Sequence, residues 1–151
     1  MTTAPLFNRI ALIGFGLIGG SIARGARAQG LVGEIVTTAR SEKTRARVAE
    51  LGIVDRVVAT NVEAVRDADL VILCIPVGAC GPVAAEIAAH LKPGAIVSDV
   101  GSVKGAVVNY VVRHVKKLVL HFSLPGAVRF NEELDRGRGS SPQPAAVGPD
   151  D

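Results

Sequence analysis

Tryptophan is absent from this chain of 151 residues, which holds one tyrosine, one methionine and four phenylalanines. A core must therefore be assembled from valine, alanine, isoleucine and leucine. That composition suits a parallel sheet covered by helices on both faces. Cysteine is nearly absent as well. Cys74 and Cys80 are neither a disulfide framework nor a C-x-x-C pair, so they are expected to be reduced thiols in a cytoplasmic protein. No His/Cys cluster points to zinc, and no metal is expected. No apolar run reaches the length of a membrane span, and MTTAPLFNR lacks the apolar core of a signal peptide. The net charge is only +3, and no basic run interleaves with aromatics. Neither a membrane nor a nucleic acid is therefore an expected partner. What remains is 48% apolar and 21% charged, the profile of one globular domain with a real core.

The stretch around which the chain is organised is Arg9 to Ser21, RIALIGFGLIGGS. An apolar run, Ile10 to Ile13, leads into Gly14-Phe15-Gly16-Leu17-Ile18-Gly19. This is G-x-G-x-x-G between an expected strand and an expected helix. Gly14 permits the tight turn, Gly16 lets backbone approach a pyrophosphate, and Gly19 lets the helix pack on the strand. The first-turn N–H groups and the helix dipole then favour an anion. A glycine-rich turn alone is weak evidence, since an ordinary strand-to-helix turn looks the same. The βαβ order that follows makes it specific.

The first strand is expected at Arg9–Ile13 and the first helix at Leu17–Gln29, with Ile18, Ile22 and Ala26 on one face and Gly30 as its stop. A second strand, Glu34–Thr38, precedes a helix over Glu42–Leu51 with Ser41 as N-cap. A short strand at Asp55–Ala59 and a short helix at Val62–Arg66 follow. Asp69–Ile75 is almost wholly apolar, as a central parallel strand should be. Pro76 stops it, and a helix is expected from Cys80 to His90. Ala95–Ser98 forms the next strand, with Asp99 to Ser102 as its C-terminal loop. Val103–Val115 has strand propensity, but its valines also fit one helical face, and the β/α alternation favours helix. Lys117–Phe122 reads as a sixth strand. From Ser123 the composition shifts to proline, glycine, arginine and serine, and a disordered tail is expected, with a weak helical turn near Asn131–Asp135. The fold class is α/β, a Rossmann-type doubly wound parallel sheet over residues 1–122, with the tail at 123–151.

An NAD-binding unit of this kind usually carries a carboxylate at the end of its second strand, about 20 residues past the last glycine, for the ribose hydroxyls. Residues 37 to 41 read Thr-Thr-Ala-Arg-Ser, with no acid. Without that acid a 2′-phosphate is not repelled. Arg40 supplies a planar cation able to stack on adenine, while Ser41 and Lys43 add donors. This leans to NADP, with NAD held through backbone contacts as the alternative.

With these segments in view, GFGLIGGSIARGAR, DADLVILCIPVGA and LKPGAIVSDVGSVKG resemble the nucleotide-binding half of prephenate/arogenate dehydrogenases of tyrosine biosynthesis. The resemblance covers roughly residues 7 to 120. The specific part is Cys74-Ile75-Pro76-Val77 together with Asp99-Val100-Gly101-Ser102-Val103-Lys104. It implies a Rossmann domain followed by a helical domain that dimerises, and NAD(P)-dependent oxidative decarboxylation of a small-molecule substrate. It puts Ser102 in the active site and Lys104 beside it as positive charge or loop support. Ile75, Pro76 and Val77 would flank the nicotinamide ribose. Each has a bland alternative: Asp99 and Ser102 turn the chain and cap a helix, and Lys104 is a solvated first-turn lysine.

The resemblance breaks after the sixth strand. In the family a Gly-His-Pro stretch follows, and its histidine is catalytic. Here Ala127 stands where that histidine would be, and no counterpart of the second domain's substrate-binding groups follows. His90 and His114 lie near expected helix ends, and His121 ends the sixth strand, at a different position from the family histidine. The expectation is a truncated member that binds dinucleotide with little turnover and exposes apolar surface around Val107 to Leu120. The alternative is a standalone dinucleotide-binding module or subunit. A different Rossmann dehydrogenase, of β-hydroxyacid type, would lack the D-V-G-S-V-K loop.

Overall fold

The computed structural model describes residues 4–101, 119–123 and 127–130. Seven strands form one sheet: β1 (Phe7–Ile13), β2 (Val32–Thr38), β3 (Arg56–Val58), β4 (Leu70–Leu73), β5 (Ile96–Asp99), β6 (Val119–Ser123) and β7 (Ala127–Phe130), in the order β3-β2-β1-β4-β5-β6-β7. All neighbours are parallel except β6 and β7. The helices are α1 (Leu17–Ala28), α2 (Glu42–Glu50), α3 (Asn61–Val65) and α4 (Val77–Ile87), the last extended by a 3-10 turn at Ala88–His90.

β1 shows why the sheet needs two covered faces. Side chains alternate along a strand, yet Ile10, Ala11, Leu12 and Ile13 are all buried. Ile10 and Leu12 pack with Ile35, Ile72 and Ala23 of α1. Ala11 and Ile13 pack with Val36, Leu73, Ala64 of α3, and Ala84 and Ile87 of α4. A continuous apolar run is the signature of such a strand. The chain order turns at β1, whose neighbours are β2 on one side and β4 on the other. Ligands of open α/β sheets bind in the crevice this reversal leaves at the carboxyl ends of the strands.

Several boundaries differ from the sequence expectation. Helix α4 begins at Val77, with Pro76 as its N-cap, not at Cys80. Gly78, Gly81 and Pro82 are poor helix formers and hide the start. Burial of Cys80, Ala84 and Ile87 against the sheet outweighs that propensity. α3 begins at Asn61 because Thr60 caps it, its hydroxyl accepting the Glu63 N–H at 3.2 Å. β4 ends at Leu73, although the Cys74 N–H still donates to the Ile13 carbonyl at 2.8 Å. On α1 the buried stripe is Gly19 and Ala23 flanked by Ile22 and Ala26, while Ile18 is exposed.

The stretch from Ser123 was expected to lack regular structure, yet Ser123 closes β6 and Ala127–Phe130 forms β7. The two run antiparallel, with Ser123 opposite Ala127 and Leu120 opposite Phe130. A free strand edge offers unpaired N–H and C=O groups, and Val128 and Phe130 are good strand formers. The polar composition of the whole segment conceals these four residues. The helix expected at Val103–Val115, the apolar surface expected around it and the turn expected near Asn131–Asp135 lie outside the described residues.

Asp69 ties the opposite, amino-terminal end of the sheet together. Its Oδ2 accepts the Asn8 and Arg9 N–H groups of β1 at 2.6 and 3.1 Å, and its Oδ1 accepts from the Lys92 ammonium. The Lys92 hydrogen bond is the largest influence holding this carboxyl below its ordinary 3.8, against a smaller opposing effect of burial. A depressed carboxyl contributes stability above its unfolded pKa and loses it as pH falls through the folded value. Asp69→Asn is therefore expected to be less stable than the parent at neutral pH. Its stability should also fall less between about pH 5 and pH 2. Urea midpoints across that range check this; parallel curves would contradict it.

Candidate functional site

The three glycines of the β1–α1 turn answer to different constraints. Gly14 has φ +90°, and a Cβ there would lie 2.7 Å from the Cys74 carbonyl oxygen. A Cβ on Gly19 would lie 2.8 Å from the Gly14 carbonyl oxygen, so α1 rests directly on the turn. Gly16 has an ordinary negative φ, and a Cβ there would meet nothing within 4 Å. Neither conformation nor protein packing asks for glycine at that position. Open space in front of the N-cap of a helix of 12 residues, with no capping side chain and no acid in its first turn, is what a pyrophosphate needs. The residues present fit a dinucleotide.

The end of β2 is locked to the turn. Thr37 Oγ1 donates to the Leu12 carbonyl at 2.8 Å, and the Gly14 N–H donates to Thr38 Oγ1 at 3.2 Å. Both threonines are buried. The first two of the residues 37 to 41 among which a ribose-binding acid was sought are thus committed to β1 and its turn. Arg40 follows, exposed. Its backbone is fixed from behind: Arg45 Nη1 donates to the carbonyls of Ala39 and Arg40 at 3.0 and 2.9 Å. Ser41 caps α2, its Oγ accepting the Thr44 N–H at 3.1 Å and lying 2.7 Å from Thr44 Oγ1.

A cavity of about 510 Å³ opens at this end of the sheet. Gly14, Phe15, Arg40, Ile75 and Pro76, all expected site residues, line it. Gly16, Leu17 and Ile18 are exposed at the start of α1, outside its wall. Gly19 is buried beneath the turn, Val77 packs on the core, and Ser41 is occupied as the α2 cap. Ser102 and Lys104 lie outside the described residues. The wall also contains residues that sequence reading missed: Thr44, Ala59, Thr60, Asn61, Ala79, Val83 and Glu86. Thr60-x-x-Glu63 is a capping-box spacing that could have placed the start of α3, and with it Asn61, at a strand's carboxyl end.

Cys74 sits against this turn, and burial pushes its thiol up to about 11. Burial, and then the Asp99 charge, raise Cys80 as well. Both thiols are protonated at neutral pH and offer no nucleophile. Asp99 is buried at the end of β5, and its Oδ1 accepts the Gly101 N–H at 2.8 Å, turning the chain as it leaves the sheet. No helix among the described residues is long and apolar enough to cross a membrane.

A family model described as the nucleotide-binding domain of prephenate dehydrogenase matches residues 22–124. The chain belongs to the prephenate dehydrogenase nucleotide-binding family. A cyclohexadienyl dehydrogenase of Zymomonas mobilis is 39% identical over 132 residues, covering 87% of this chain and 45% of that protein. Among solved structures, the arogenate dehydrogenase of Synechocystis superposes with a TM-score of 0.66 at 29% identity, over 75% of this chain and 40% of the other. The Aquifex aeolicus prephenate dehydrogenase in complex with hydroxyphenyl propionate and NAD+ gives 0.64 at 25% identity, over 86% and 48%. The chain therefore spans less than half the length of these relatives. Membership of this dehydrogenase family agrees with the sheet order and the glycine turn, and it makes the cavity part of a nucleotide-binding domain.

Proposed function

We propose that this chain is the dinucleotide-binding half of an NAD(P)-dependent oxidoreductase that decarboxylates prephenate or arogenate oxidatively, and that it prefers NADP. The observation that carries the reading is the open cradle at Gly16 beside a cavity at which Arg40 is the one cation among the described lining residues, with no carboxylate at the end of β2.

In this reading the Gly14 turn and the first-turn N–H groups of α1 hold the pyrophosphate. Arg40, with its backbone fixed by Arg45, pairs with the 2′-phosphate, and Thr44 Oγ1 adds a polar contact. Ile75 and Pro76 supply an apolar wall that excludes water. A bound nicotinamide supplies the hydride acceptor for oxidation of the ring carbon that bears the hydroxyl. Ser102 and Lys104, which follow β5 in sequence, are the proposed substrate-side residues, on the strength of the D-V-G-S-V-K resemblance alone. Ala127 offers no imidazole to hydrogen-bond the reacting hydroxyl. The chain alone is thus expected to bind dinucleotide and turn over several powers of ten below a complete family enzyme. The family's homodimer is the proposed assembly of the whole protein.

Fluorescence titration with NADPH and NADH tests this directly. NADPH is expected to bind about tenfold more tightly, and Arg40→Ala to collapse the difference by weakening NADPH alone. Tighter NADH binding would remove the NADP preference. Failure to bind either would remove the reading, and family-level turnover would remove the predicted loss of catalysis.

A further inference from the structure

We propose that Asn61 and Glu86 read the exocyclic amine of the adenine ring, so that the cavity selects 6-aminopurine dinucleotides over 6-oxopurine ones. The proposal rests on the reading that the adenosine half of a dinucleotide occupies this cavity. Ala79 and Val83, in the same helix as Glu86, give it an apolar wall of the kind a flat base packs against. Among the described residues, Arg40 and Glu86 are the two charged ones that line it.

Asn61 is the first residue of α3, held there by the Thr60 cap, and Glu86 lies in the last turn of α4. Asn61 Nδ2 donates to Glu86 Oε2 at 2.9 Å, bridging the two helices at the cavity. That bond ties the two side chains to each other. Among the described residues nothing donates to Glu86 Oε1 or Asn61 Oδ1. Two hydrogen-bonded residues that line the cavity therefore each keep one acceptor atom for a ligand's donors. A 6-amino group carries two N–H donors on one nitrogen and can satisfy both acceptors at once. A 6-oxo group offers only lone pairs there, and the single N1–H that accompanies it can serve one acceptor but leaves the other facing oxygen. A site built of acceptors rejects the analogue lacking the donor because its own polar groups are left unpaired.

The test is an equilibrium titration of the full chain with NADPH and with its hypoxanthine counterpart, which carries oxygen in place of the 6-amino group and a hydrogen on N1. The parent is expected to bind NADPH about tenfold more tightly, a modest ratio because Glu86 is exposed to solvent. In Glu86→Gln, Asn61 can go on donating to the amide oxygen. The new amide N–H groups then turn to the cavity as donors. The preference is expected to vanish or invert. Glu86→Ala should lower the preference without inverting it, and thermal melts check that both variants fold. A merely structural bridge would weaken both dinucleotides equally and leave the ratio intact, which would overturn the proposal. Equal binding by the parent would overturn it too, while leaving the dinucleotide site standing. Binding of neither would bring down both.

Discussion

Gly14→Ala is expected to cost about 2–4 kcal/mol of folding stability and to abolish dinucleotide binding. The argument is steric twice over. At φ +90° an L-residue is strained before any neighbour is considered. The added methyl would then stand 2.7 Å from the Cys74 carbonyl oxygen and 3.0 Å from Ile75 Cγ2. The carbonyl cannot swing aside, because the Cys74 N–H is bonded to Ile13 and continues the β1–β4 ladder. Relief requires the turn to move away from β4. That would carry the Gly14 N–H off Thr38 and tilt the first turn of α1, on which the pyrophosphate depends. For a chain of this size the loss corresponds to a fall in melting temperature of roughly 10 °C. Circular dichroism melts and a dinucleotide titration measure both effects. An unchanged melt would show that the turn has slack the geometry does not allow.

Gly16→Val is expected to separate the two properties. Its φ of −97° suits any residue, and the space around its Cβ is open, so the fold has no objection to a side chain. The cost should stay near about 1 kcal/mol, from valine's poor fit to an N-cap position. Affinity for either dinucleotide should nevertheless fall by at least about 100-fold, because the side chain fills the approach to the helix N-terminus. Melts and titrations on the same sample decide it. A variant that folds and still binds would mean that the pyrophosphate lies elsewhere.

These two glycines mark how far the sequence was legible. G-x-G-x-x-G after an apolar run placed the turn, and the β/α alternation placed β1 to β5 with the helices between them. The motif also assigned Gly14 and Gly19 to the fold and Gly16 to the ligand; what it could not show is the atom that forbids a side chain at Gly14, the Cys74 carbonyl oxygen, which lies 60 residues away in sequence. The missing acid at the end of β2 was visible as composition. Its structural counterpart, two threonines bonded into β1, was not. Ser41 could be read as a cap or as a ligand group, and the structure shows its oxygen engaged as the cap.

Local pattern by itself determined the fold class, the strand order along the chain and the position of the glycine turn. Alternation, helix punctuation and continuous apolar runs act over a few residues, and the sequence carries them directly. Tertiary structure alone decided the cavity's far wall, the start of α4 and the strand at Ala127–Phe130. Asn61 and Glu86 are 25 residues apart and meet only because α3 and α4 pack on the same face of the sheet. Burial drives α4 through two glycines and a proline, and β7 forms on the edge that β6 offers. In each case the deciding energy is that of surfaces brought together from separate segments, which no local window of the sequence contains.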